Sequence, residues 1–146
     1  ARTHAVGEVS EEAKKLIQVT KECFFEGIKY AKAGNHLFDI SGAIGRYAEE
    51  RGYGVVRDLC GHGIGTALHE APEIPNYEVG RKGVKLRPGM TLAIEPMINI
   101  GTYEVDWLDD DWTVVTRDGS LSAHYENTIL ITEGEPRILS LTCENE

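Results

Sequence analysis

The chain reads as an α+β protein, two helices followed by an antiparallel sheet, in a single domain spanning residues 1–146. Two observations predict this. Between Ser10 and Gly52 the apolar residues recur at helical spacing in two blocks. From Gly54 onward the period changes to two, with turn residues between short apolar runs. A chain of 146 residues is long enough to bury a core and argues for one domain.

The first helix is expected over Ser10 to Ala33. Ala13, Leu16, Ile17, Thr20, Phe24, Gly27, Ile28 and Ala31 share one face, and Lys14, Lys15, Gln18, Lys21, Glu22, Lys29 and Lys32 lie toward the other. Ser10 caps its start, Glu11 and Glu12 suit the positive end of the macrodipole, and Gly34 stops it. A shorter helix follows, capped by Asp39 or Ser41, with Ile40, Ala43, Ile44, Tyr47 and Ala48 as its apolar stripe and Gly52 as its end. Strands are expected at 55–59, 66–68, 90–98, 112–116, 122–132 and 137–141. Arg87-Pro88-Gly89 is a turn feeding the third of these, and Asp118-Gly119 is a hairpin turn signal. Residues 106–111 read as a solvated loop: Asp106, Asp109, Asp110 and Asp111 lack the spacing of an EF-hand calcium loop.

Composition excludes several classes of function. The net charge of −9 argues against nucleic acid as a partner, because phosphate binding needs clustered Lys and Arg. No apolar run approaches the roughly 18 residues that span a bilayer, and the opening segment lacks the organisation of a signal peptide. Cys23, Cys60 and Cys143 are odd in number and irregularly spaced, which fits reduced thiols and a cytoplasmic location.

The segment with the most chemistry is Cys60-Gly61-His62-Gly63-Ile64-Gly65, followed by His69-Glu70-Ala71-Pro72. It places two imidazoles seven residues apart on a glycine-loosened backbone, where missing Cβ atoms permit close approach. Two later strands each carry a glutamate in an apolar context, Glu95 before Pro96-Met97 and Glu126 before Asn127-Thr128-Ile129. A carboxylate inside an apolar strand is costly to desolvate without a charged partner. A divalent metal held by His62, Glu95 and Glu126 would supply that partner, one nitrogen and two oxygens being a common set for Zn, Fe, Mn or Co. Alternation puts Glu95 on a face with Ala93 and Met97, and Glu126 on a face with His124, Thr128 and Leu130.

These motifs, with 86–91, 94–97, 111–113 and 118–126, resemble type I methionine aminopeptidases over essentially the whole chain. The resemblance implies the pita-bread fold, in which two pseudo-symmetric halves enclose a dinuclear metal centre in the cytosol, and an activity that removes Met from the N-termini of nascent polypeptides. It makes His62, Glu95 and Glu126 metal ligands, Glu126 bridging two metals, with Glu95 also taking a proton from water. It makes His69 the residue that hydrogen-bonds the substrate and stabilises the tetrahedral intermediate. Leu68 falls where the family usually has an aromatic lining the Met pocket, and Trp112 matches another wall of that pocket.

The family's two further aspartates and a further histidine have no counterpart here. The chain is therefore expected to be the C-terminal portion of the catalytic domain, the second half of the fold, binding at most one metal and weak or inactive when isolated. Self-association, or pairing with the missing N-terminal half, is expected to cover its open face. The other readings are a pita-bread peptidase of the aminopeptidase P or prolidase type and a non-catalytic binding fragment.

Overall fold

A computed structural model of the chain describes residues 1–141. Two helices, α1 (Glu11–Ile28) and α2 (Leu37–Glu49), pack on antiparallel sheets. Among the described residues ten short strands follow: β1 (Gly54–Val55), β2 (Gly61–Ile64), β3 (Glu70–Ile74), β4 (Thr91–Ile94), β5 (Met97–Asn99), β6 (Val105–Trp107), β7 (Val114–Thr116), β8 (Ser122–His124), β9 (Asn127–Leu130) and β10 (Arg137–Ile138).

Ser10 caps α1 as expected, its hydroxyl accepting from the Ala13 amide. The buried face is Leu16, Val19, Thr20, Cys23, Phe24 and Gly27, so Val19 and Cys23 join the expected stripe. The helix ends at Ile28, five residues before the expected limit. The chain leaves it to pair with a distant segment: Gly34 N–H donates to Leu86 and Leu86 N–H returns a bond to Asn35. The Asn35 side chain takes the carbonyl of Tyr30. The second helix begins earlier than expected, at Leu37, with His36 as its cap residue. Asp39 serves this terminus from the third helical position, accepting from the His36 amide at 2.8 Å, whereas Ser41 is buried inside the helix. The two helices are in close contact at Gly27, where a Cβ would lie 2.6 Å from Ile44 Cγ1.

Two expected long strands prove to be two strands each. Residues 90–98 divide into β4 and β5 at Glu95-Pro96, and 122–132 into β8 and β9 at Tyr125-Glu126. The halves belong to different sheets, β1-β5-β8 and β10-β9-β4-β2-β3. The breaks stand opposite each other, since Ile94 pairs with Asn127 and Met97 with His124. A two-stranded ribbon thus crosses from one sheet to the other and bends as it does so. Proline lacks the N–H a ladder requires, so Pro96 is a natural break point.

Other boundaries also move. The strand expected at 66–68 is a bend between β2 and β3. β2, which the glycines concealed, pairs with both β3 and β4. Val105–Trp107, whose last two residues are read from sequence as loop, is a strand paired with β7. Asp118-Gly119 therefore does not close a hairpin of adjacent strands: it links β7 to β8, which lie in different sheets. The turn is built all the same. Gly119 has φ +73, and the Asp118 carboxylate accepts from the Thr102 and Ser120 amides at 2.8 and 2.9 Å, tying two loops together.

The core joins Leu16, Phe24, Ile40 and Ile44 of the helices to Ile94, Ile98 and Ile129 of both sheets. Cys23 and Cys60 are free thiols, and burial pushes the Cys23 thiol up to about 12. Cys143 lies outside the described residues. Among the described residues no helix is long and apolar enough to cross a membrane.

Two outcomes follow. A Cβ at Gly61 would strike the Ala93 carbonyl on the neighbouring strand, so Gly61→Ala is expected to lower stability by about 1–3 kcal/mol in chemical denaturation. Asp118 is held down to about 2, from an ordinary 3.8, by the Ser120 hydroxyl and the Thr102 and Ser120 amides. Its stabilisation is therefore full above the ordinary value and lost as pH falls toward the folded one. The stability difference between the wild type and Asp118→Ala is expected to be constant near neutrality and to close across that acid interval.

Candidate metal centre

The bend of the ribbon positions both glutamates. Glu95 follows β4 and Glu126 precedes β9, so each projects from the point where its strand changes sheet. Asn76, fully buried, donates from Nδ2 to the Glu95 carbonyl at 3.2 Å and fixes the backbone there. His62 comes from β2, whose register with β3 shifts between His62 and Gly63. Such a bulge re-aims a side chain without ending the strand.

One ligand atom from each of His62, Glu95 and Glu126 lies within 4.8 Å of the others. The His62 and Glu95 side chains are 14 % exposed and that of Glu126 28 %. His62 Nδ1 is 2.9 Å from the Gly63 carbonyl. A carbonyl only accepts, so the neutral ring carries its proton on Nδ1 and presents a lone pair at Nε2. That lone pair faces Glu95 Oε1 at 3.5 Å. Two acceptors turned toward one another call for a cation between them, and the nitrogen-and-carboxylate set suits a divalent transition metal. The residues present therefore fit such an ion.

His69 packs against His62 with the rings tilted at 57° and their centroids 4.2 Å apart. The loop that presents it is organised by Glu70, whose Oε1 accepts from the Thr66 hydroxyl at 2.8 Å and the Ala67 amide at 2.7 Å. The Ala67 amide and then the Thr66 hydroxyl hold the Glu70 carboxyl below the usual range. A Cβ on Gly65 would meet that carboxylate, the far end of a flexible side chain.

A cleft of about 840 Å³ opens over the cluster, lined among others by Cys60, His69, Met97, Trp107, Trp112 and His124. Trp112 is 85 % exposed at its rim. Leu68 is 69 % exposed and is not part of that lining. Burial, then the Glu73 charge, raises the Cys60 thiol, so it stands as a neutral thiol at the cleft wall. The expected solvated loop is partly ordered by ion pairs and turns: Arg117 grips Asp106 at 2.8 Å, and Asp110 accepts from the Thr113 amide and hydroxyl.

Sequence reasoning passed over two residues of the site. His124 was legible as a neighbour of Glu126 on an alternating strand, but not as a neighbour of Glu95. Asn76 carried no signal, because its role depends on a backbone carbonyl 19 residues away.

Residues 1–133 match the model of metallopeptidase family M24. The chain belongs to family M24. Among its relatives, the methionine aminopeptidase of Clostridium acetobutylicum is 60 % identical over 144 residues, 99 % of this chain and 57 % of that protein. The crystal structure of methionine aminopeptidase from Thermotoga maritima superposes with a TM-score of 0.90 at 50 % identity, over 94 % of this chain and 55 % of that one. The prolidase from Pyrococcus furiosus gives 0.72 at 27 % identity, over 97 % of this chain and 36 % of that one. This M24 chain thus has the helices and antiparallel sheets of the pita-bread fold and spans about half the length of the curated relatives it matches.

The cluster generates a metal-binding outcome. Titration with Co(II) is expected to develop visible absorption saturating at one ion per chain, and His62→Ala is expected to abolish it. Absence of binding at millimolar metal, or binding that His62→Ala leaves unchanged, would contradict the assignment.

Proposed function

We propose that this chain carries metal-binding and substrate-binding side chains of a methionine aminopeptidase, which hydrolyses the bond after the N-terminal Met of nascent polypeptides. The observation that carries this reading is the convergence of His62, Glu95 and Glu126 beside His69, in an M24 chain 60 % identical to a methionine aminopeptidase. We place it in the cytoplasm, in keeping with its free Cys23 and Cys60.

His62 Nε2 and the carboxylates of Glu95 and Glu126 would hold a divalent ion, Co, Mn, Fe or Zn. When bound, that ion supplies Lewis-acid polarisation of the scissile carbonyl and a more acidic water. The chain's own side chains do the rest. Glu95, with both oxygens near imidazoles, takes the proton of the attacking water and returns it to the leaving amine. His69, packed against His62 at the cleft wall, donates to the substrate carbonyl oxygen as negative charge develops there. That interaction is worth roughly 3 kcal/mol by analogy with oxyanion-hole donors. Trp112 at the rim contacts the Met side chain, where a thioether–aromatic contact contributes about 1 kcal/mol, while Leu68, outside the cleft lining, takes no part in that contact here. The complete enzymes of this type use two metals; the three ligands here suffice for one. A further polypeptide, either the remaining length seen in the relatives or a second copy of this chain, would cover the cleft.

Prolidase-type or aminopeptidase P-type specificity is the competing reading, and the higher identity to methionine aminopeptidases disfavours it. Parallel assays on Met-Ala-Ser and Ala-Pro peptides separate the two. The expected result is slow, metal-dependent Met release, far below the roughly 10 per second typical of enzymes, rising when a polypeptide spanning the relatives' remaining length is added. Trp112→Ala is expected to raise KM for Met peptides. Preferential cleavage of Ala-Pro, or Met release that persists after chelation, would overturn the proposal.

A further inference from the structure

We infer that His124 is a positioning residue for Glu95, holding one carboxylate oxygen through Nε2–H so that the other stays turned toward His62. This rests on the metal-site reading above. The side chain ends β8, and its backbone is pinned from the flanking segment: its amide donates to Thr3 Oγ1 at 2.8 Å, and its carbonyl accepts from the Thr3 amide at 3.0 Å. The ring is therefore aimed by a fixed main chain. It points across the bend, into the cleft.

His124 Nε2 is shielded from solvent and has no hydrogen-bond partner among the described residues. It lies 3.5 Å from Glu95 Oε2. His62 Nε2 lies 3.5 Å from the other oxygen, Oε1. Glu95 is thus bracketed by two imidazoles, one on each oxygen, and the two are not equivalent. His62 spends its proton on the Gly63 carbonyl and offers Glu95 a lone pair. A second lone pair at Oε2 would leave a carboxylate between two acceptors, whereas an N–H there attracts it. The tautomer with the proton on Nε2 satisfies both the buried nitrogen and the carboxylate. At 3.5 Å the contact is a charge–dipole attraction, which suffices to set the plane of the carboxylate about its otherwise broad last torsion. Fixing Oε2 fixes Oε1, and that is the oxygen facing the lone pair of His62. Partners of this kind orient metal-ligating carboxylates.

The test uses Mn(II) alone as probe, titrated calorimetrically into the full chain and into His124→Ala, His124→Gln and His62→Ala, with the thermal midpoint of each metal-free protein measured alongside. His124→Ala is expected to weaken Mn(II) binding by about 10–100-fold, and His124→Gln, which keeps an N–H donor, to stay within about threefold of the wild type. The metal-free midpoints are expected to be unchanged. Wild-type binding by His124→Ala would overturn the inference, as would a Gln variant as weak as Ala. If His62→Ala loses binding while His124→Ala does not, the metal site stands and only the positioning role falls. If the wild type binds no Mn(II), the metal reading fails and takes this inference with it.

Discussion

The site depends on a bend in two antiparallel strands that cross from one sheet to another. At Glu95-Pro96 and at Tyr125-Glu126 the ladder is interrupted on both strands at the same level. A regular ribbon would send alternate side chains to opposite faces and leave the two carboxylates at the mercy of register. The bend removes that dependence. It turns both glutamates toward one point, and the buried isoleucines on either side, Ile94, Ile98 and Ile129, anchor the halves in the core.

Holding the bend open has an electrostatic cost that the surroundings offset. Glu95 is largely buried, and a desolvated carboxylate needs a positive or donating partner. Its neighbours are imidazoles at both oxygens and an amide at its carbonyl. None of these neutralises it in full. The arrangement of His62, proton committed to Gly63 and lone pair facing a carboxylate oxygen, leaves room for a cation and disfavours an empty centre. Local structure and proposed chemistry are therefore linked through one tautomer.

The glycines of the 61–65 segment have separate duties. Gly61 gives way to the Ala93 carbonyl, Gly63 to that of Ala71, and Gly65 to the Glu70 carboxylate. Gly61 and Gly63 let β2 lie close against the backbones of β4 and β3, and His62 and His69 stand with ring centroids 4.2 Å apart. The acidic hairpin at the cleft mouth is tied internally by Arg117, Asp106 and Asp110. It offers Trp112 as an exposed aromatic and leaves the carboxylates of the metal cluster to the interior.

Much was legible in the sequence. The helical stripe of Leu16, Thr20 and Phe24, the Ser10 cap and the turn at Asp118-Gly119 are local, and their physics acts over a few residues. The placement of glutamates in apolar strands pointed to a shared cation because desolvation cost is a property of residue type. What the sequence could not decide was whatever depends on distant backbone. The early end of α1 is set by Leu86, the split of each long strand by which sheet its far half joins, and the pairing of Val105–Trp107 by β7. That His124 Nε2 stands 3.5 Å from Glu95 Oε2, and that Asn76 donates to the Glu95 carbonyl, are tertiary contacts at the bend. Residue type named the candidate ligands; only the folded ribbon, by breaking its own alternation, determined which atoms face one another.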